Sequence, residues 1–291
     1  LLKRQDIRIR DPFIVADAEQ GMYYMYGTTD DNTWSGPGTG FDAYRSRDLE
    51  QWEGPFEAFK PEQGFWADRH FWAPEVYAYR DAYYMFASFK AEDKCRGTQV
   101  LRAESPLGPF RPLTDRPVTP LDWECLDGTL YIDENGAPWM VFCHEWLQVR
   151  DGKMCAIQLS EDLREAVSEP VVLFSASEAP WTVAGGDSKD VYVTDGPFLY
   201  SNEAGELHMI WSSGAAHGYA IGISHSASGD IRGPWVHEAE PLFAEDGGHG
   251  MLFRTLDSGE MMLAMHAPNK LPNERPVFIP MGLSGGMLSR R

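Results

Sequence analysis

The chain of 291 residues is 43% hydrophobic and 13% aromatic, with 28 Gly and 20 Pro, a composition that suits many short strands joined by tight turns better than long helices. Its formal net charge of -19 at pH 7 would repel the phosphates of nucleic acid or of an anionic membrane, so neither is an expected partner. No apolar run reaches the length of a membrane span.

The opening, LLKRQDIRIRDP, lacks the apolar centre of a signal peptide. The first predicted strand follows in Arg10–Val15 (RDPFIV), and a second, aromatic-rich one in Gly21–Thr29 (GMYYMYGTT). Between this pair and the next strands, Phe41–Asp48 and Gln51–Phe59, lies a Gly-rich insert, TTDDNTWSGPGTGF, expected at the mouth of the fold with Trp34 on the wall of a pocket. The same pairing then recurs. WAPEVY precedes DAYYMFASF, LDGTLY precedes GAPWMVFCH, TDGPFLY precedes GELHMIWSS, and GHGMLF precedes GEMMLAMHA. Gly54-Pro55-Phe56, Gly108-Pro109-Phe110 and Gly233-Pro234-Trp235 mark a common place within the unit.

Aligned on the small or turn-forming residue, the five openings place Asp11, Ala73, Asp127, Asp195 and His249 at one position, with spacings of 62, 54, 68 and 54 residues. Five similar four-stranded units predict an all-β chain, a five-bladed β-propeller formed as one domain over residues 1–291. The last unit is short, ending near RPVFIPM, so the amino-terminal segment is expected to complete it and close the ring. The four cysteines, Cys95, Cys125, Cys143 and Cys155, show no CxxC spacing and read as free thiols. With no visible leader, this favours a cytoplasmic location over a secreted one.

Asp-Gly-Pro is by itself a turn signal. In a propeller, however, the innermost strands line the axis, so Asp11, Asp127, Asp195 and His249 converge on one mouth of the channel although they are distant in sequence. Carboxylates crowded in a partly desolvated pocket raise one another's pKa, which lets an acid and a base coexist at neutral pH. If each second strand returns to the same mouth, Asp30, Lys90, Glu145, Ser213 and His266 form an outer ring, in which Glu145 is an alternative acid.

The ordered set IRDPFI with YYMYGTT, FWAPEV, LDGTLYIDENGAPWMVF, DGPFLY and GGHGMLF resembles glycoside hydrolase family 43 over nearly the whole chain. The resemblance implies a five-bladed propeller and an inverting hydrolase of arabinose- or xylose-containing glycans, the expected partners being such oligosaccharides. It makes Asp11 the general base, Asp127 the carboxylate that adjusts the acid's pKa, and Asp195 the general acid. At the last position the family usually has Glu in an EGP motif, and the Asp here is shorter by one methylene, about 1.5 Å of reach. An inverting pair must also leave room for water, with carboxyl groups roughly 6.5 to 9.5 Å apart. The resemblance further implies a largely water-coordinated calcium ion beside His249 and an arginine, Arg275, aimed at the modulator and the sugar; His266, placed at the rim by the returning strand, is expected to contact substrate. Trp72, at an inner-strand opening, is expected to offer a face to the sugar, whereas Phe65, Trp66 and Phe71 read as packing residues and Glu75 as framework. A sugar-binding propeller without catalysis, or a galactofuranosidase, would share this pattern. The fructan-cleaving propellers offer a retaining alternative, with Asp11 as nucleophile and Glu124 of Trp123-Glu124-Cys125 as acid.

Overall fold

The second strands of the repeat are aromatic-rich or apolar runs, buried from end to end in two units and over most of their length in the other three, which suits strands covered on both faces. In the computed structural model, which describes residues 1–31, 33–185 and 190–291 (Asn32 of the insert lies outside them), these strands sit between an inner strand and outer ones in five antiparallel sheets. The sheets are the blades of a five-bladed β-propeller. Their inner strands are Arg10–Asp17, Arg69–Tyr79, Cys125–Ile132, Asp195–Ser201 and Gly248–Arg254. Among the described residues, no helix is long and apolar enough to cross a membrane.

One apolar cluster fills each gap between neighbouring blades. Tyr26, Phe41, Phe59, Phe71 and Phe89 lie between blades 1 and 2. Phe86, Met140, Phe142 and Cys155 lie between blades 2 and 3, and Phe174, Trp181 and Trp211 between blades 3 and 4. Ile210, Ile221, Leu263 and Met265 join blades 4 and 5. Trp52, Met25, Phe253 and Phe278 then close blade 5 onto blade 1. Burying each such side chain contributes about 1.5–3 kcal/mol, so the ring closes through side-chain packing.

Closure departs from expectation in one respect. The last blade has its own fourth strand, Met287–Arg290, paired with Arg275–Ser284. The amino-terminal Leu2–Lys3 instead joins the outer edge of blade 1 by pairing with Gln51–Trp52. The four cysteines are free, three of them buried and Cys95 partly so.

Every inner strand bulges at the same place, just as it reaches the axis. The ladder skips from Arg10 to Phe13, Trp72 to Glu75, Leu126 to Thr129, Asp195 to Phe198 and Gly248 to Met251. The first skipped residue has positive φ in every blade: Asp11 53°, Ala73 45°, Asp127 55°, Gly196 48° and His249 55°. Pro or Gly follows each of them. Blade 4 is therefore offset by one residue from the sequence alignment, because Gly196, and not Asp195, is the counterpart of Asp11 and Asp127. The reason is steric: a Cβ at Gly196 would lie 2.7 Å from His249 Cγ. The carboxylate of blade 4 has to come from the preceding residue.

A bulge removes its N–H from the ladder, and a buried unpaired N–H is costly. Here each blade captures the freed N–H of the next. Thr28 Oγ1 accepts from Ala73 N at 2.8 Å, Ser88 Oγ from Asp127 N at 2.9 Å, Ser212 Oγ from His249 N at 2.8 Å, and His266 Nδ1 from Asp11 N at 3.1 Å. The corresponding residue of blade 3 is Cys143, whose thiol is a weak acceptor. There the Asp127 carboxylate accepts from Gly196 N at 3.0 Å, closing a circle of blade-to-blade hydrogen bonds around the axis. Gly196→Ala adds both a left-handed backbone cost and an overpacked contact, so it is expected to destabilise the fold by about 2–4 kcal/mol. Urea unfolding would check this, and an unchanged midpoint would contradict the steric account.

Candidate active site

The bulges deliver their side chains to a cavity of about 530 Å³ at one mouth of the channel, lined by Asp11, Asp127, Asp195, His249, Glu145 and Trp72 among others. Asp11 is the most firmly held. Thr28 Oγ1 donates to its Oδ2 at 2.7 Å, and His249 Nδ1 lies 3.3 Å from its Oδ1. Burial alone would raise the pKa of Asp11, but the neighbouring His249 and Arg10 and the Thr28 hydrogen bond outweigh it and hold the carboxyl below its ordinary value.

The other two carboxyls move the opposite way. Burial, followed by repulsion from Asp11, pushes Asp127 up to about 8. Burial, followed by repulsion from Asp127, pushes Asp195 up to about 7, against the opposing effects of His249 and of Tyr219, whose hydroxyl donates to Asp195 Oδ2 at 3.0 Å. The pair thus retains a proton near neutral pH while Asp11 is ionised, and this separation of acid from base arises from the surroundings of three like groups.

Glu145 reaches the same cavity from the end of the second strand of blade 3, but Arg96 Nε donates to its Oε2 at 3.1 Å. That contact makes it a hydrogen-bond acceptor for a guanidinium. The Arg96 guanidinium also lies 3.9 Å from the centre of the Trp72 ring, His70 stacks on Trp72 at 4.5 Å, and Trp72 Nε1 donates to Thr33 O at 2.6 Å. Trp72 therefore lines the cavity at the expected inner-strand opening, with its ring held by these protein partners.

The structure relocates other expected groups. His266 is fully buried behind Asp11 and lies outside the cavity lining, so it does not contact substrate directly. Its Nδ1 accepts the Asp11 N–H and its Nε2 faces Asn269 Oδ1 at 3.3 Å; burial lowers its pKa to about 3, leaving a neutral ring that positions the Asp11 backbone. Arg275 also lies outside the lining, with its guanidinium donating to the backbone oxygens of Gln5, Pro272 and Glu274 at 2.8 to 3.0 Å. Its neighbour Glu274 is buried and pairs with Arg10 at 3.0 Å. Arg10 and Arg96 are the arginines that line the cavity.

Of the expected outer ring, only Glu145 lines the cavity. Asp30 accepts from Thr39 N at 2.9 Å, Lys90 pairs with Glu124 at 2.7 Å, and Ser213 donates to Val193 O at 2.6 Å. The residues level with the bulges are Thr28, Ser88, Cys143, Ser212 and His266, one or two places earlier in four of the five blades. Glu124, the acid of the fructan-hydrolase alternative, is tied to Lys90 Nζ and Arg96 N outside the cavity lining. Glu75 is buried, accepts from Tyr77 Oη, and is pushed up to about 8 by that burial, in keeping with a framework role.

A calcium ion at His249 would need mostly water ligands, since imidazole is a poor donor for a hard cation. Among the described residues, no three His, Cys, Asp or Glu side chains form a group able to hold a metal ion. His249 Nδ1 faces Asp11 and Asp127, at 3.3 and 3.8 Å. These residues do not make a protein-built ion site.

Tyr219, Arg96 and Arg10 were not among the site residues expected from sequence. Tyr219 lies on the third strand of its blade, where the repeat gives no signal for the channel. Arg10 had one, because it directly precedes Asp11.

Comparison with known proteins places this geometry. A crystal structure described as an endo-arabinase from Bacteroides thetaiotaomicron VPI-5482 is 41% identical and superposes with a TM-score of 0.90, each chain covered over 98%. A thermostable family-43 glycoside hydrolase, 23% identical with a TM-score of 0.83 over 97% of this chain and 92% of that one, shares the fold. A curated extracellular exo-alpha-(1->5)-L-arabinofuranosidase from Cellvibrio japonicus (strain Ueda107) is 24% identical over 64% of this chain; the match spans 53%, about half, of that relative's length. The model of glycosyl hydrolases family 43 matches residues 6–280, and the chain belongs to that family of inverting enzymes acting on O-glycosyl bonds.

Proposed function

We propose that the chain hydrolyses α-L-arabinofuranosyl linkages in arabinan-type glycans, with Asp11 as base and Asp195 as acid. The observation that carries the roles is the opposed titration of two carboxyls in one cavity, Asp11 held low and Asp195 pushed up to about 7. Support for the sugar comes from the 41% identical structure described as an endo-arabinase and from the more distant exo-acting arabinofuranosidase.

In the proposed reaction Asp11 takes a proton from water as the oxygen attacks the anomeric carbon, while Asp195 gives its proton to the departing glycosidic oxygen. One C–O bond forms as the other breaks, and the sugar leaves with inverted configuration. Asp127, anchored by Gly196 N, is coupled to Asp195 by like-charge repulsion so that the pair retains a proton near neutral pH, and it offers a carboxyl oxygen to a sugar hydroxyl. Neutral His266 and Thr28 fix the base, so little reorganisation is needed at the moment of attack.

The acid must be protonated and the base ionised, so activity is lost as pH rises through the pKa of Asp195. The kcat/KM profile is expected to fall on an alkaline limb near pH 7, with the acidic limb below the ordinary carboxylate range. Aryl α-L-arabinofuranoside, β-D-xyloside and β-D-galactofuranoside assays test the sugar, the first being expected to turn over fastest. Preference for another glycoside would overturn the sugar, and an alkaline limb above pH 9 would overturn the acid.

A further inference from the structure

The carboxylate cavity does not end at Trp34. A second cleft of about 610 Å³ begins on the other side of that residue and is lined by Ser35, Gly36, Pro37, Arg69 and Lys90, with Trp34 and His70 shared between the two spaces. The wall that separates them is firmly built. Trp34 is 54% exposed, yet its ring meets Trp72 edge-on at 5.2 Å and carries the Arg10 guanidinium at 4.8 Å. His70 Nε2 contacts Trp34 O at 3.1 Å, and Gly38 N donates to Asp68 O at 2.7 Å, tying the loop to the floor of the cleft. His70 keeps a positive φ of 51°, a conformation that costs a non-glycine residue energy and holds its ring stacked on Trp72.

The chemistry of the cleft narrows its occupant. Arg69 pairs with Asp68 at 2.8 Å and Glu92 at 3.4 Å, and Lys90 pairs with Glu124 at 2.7 Å. With each cation matched to a carboxylate, the lining offers many hydrogen-bonding atoms and little net field, which suits a neutral polyhydroxylated chain over an acidic one. An exposed, rigidly held tryptophan at the entrance supplies the flat apolar surface on which a sugar ring packs.

We propose that this cleft continues the glycan-binding site: a neutral oligosaccharide with one unit at the carboxylates passes Trp34, rests its next unit on that ring, and extends over His70 and Arg69. This deepens the hydrolase reading and rests on it. It makes Trp34 a determinant of chain-length preference.

The test is kcat/KM across arabino-oligosaccharides from two to five units, read as the ratio of the longest to the shortest. In the wild type the ratio is expected to rise well above one. Trp34→Ala, which removes the platform, and Ser35→Trp, which fills the cleft from an exposed position, are each expected to lower it about tenfold. A thermal melt of each variant shows that the fold is retained, and the two substitutions act by opposite means, so agreement between them does not reflect a shared folding defect. A flat wild-type ratio, or a ratio untouched by both variants while short substrates are still cleaved, overturns the cleft. If arabinosyl substrates are not cleaved at all, the sugar assignment fails instead, and the same ratio read on xylo-oligosaccharides decides the cleft independently.

Discussion

Asp11→Asn is expected to lower kcat by about 10²–10⁴-fold, the usual contribution of a general base, with a much smaller change in KM. The asparagine can keep the shape of the side chain and accept from Thr28, and its backbone N–H still reaches His266. What it cannot do is accept the proton of the attacking water. A second consequence separates this from simple damage. The Asp11 charge is among the causes that raise both Asp127 and Asp195, so removing it lowers both pKa values and moves the alkaline limb of the residual activity to lower pH. Wild-type turnover in this variant would exclude Asp11 as base, and an unmoved alkaline limb would exclude the electrostatic coupling.

The repeat was legible because a propeller writes its architecture into sequence five times: an aromatic-rich second strand and a small or turn-forming residue at each inner opening. Those openings also revealed Asp11, Asp127 and His249 as residues of one mouth. The one-residue offset of blade 4 was not legible, since Thr-Asp-Gly-Pro aligns equally well on either Asp195 or Gly196, and only the space beside His249 decides between them. Side-chain direction was the other limit. Arg275 and Glu274 are adjacent, yet the acid turns inward to Arg10 while the arginine turns to the amino-terminal turn. Trp72 stands at the expected place, but nothing in the repeat announces its contacts with His70, two residues earlier on the same strand, and with Arg96 on the third strand of blade 2.

The second large effect is expected at Asp195. Asp195→Ala should lower kcat/KM on arabinan by about 10²–10⁴-fold and cost far less on an aryl arabinofuranoside whose leaving group departs without a proton. The substrate dependence identifies an acid, because a damaged pocket would penalise both alike. Stability gives an independent control. A carboxyl whose folded pKa stands above its unfolded value costs stability once pH exceeds the unfolded value, the cost growing until pH passes the folded pKa. With Asp195 pushed up to about 7, the neutral isostere in Asp195→Asn is expected to melt no lower than the wild type at pH 8 while being equally impaired on arabinan. Asp195→Glu tests reach: it restores the residue usual in the family at a position where Tyr219 already contacts the shorter side chain, so activity falls if the cavity is built around Asp and rises if the shorter acid was the limit. Glu145→Ala is the decisive contrast. It deprives Arg96 of its carboxylate partner and should weaken both substrates to a similar degree; a selective loss on arabinan there would transfer the proton-donating role from Asp195 to Glu145.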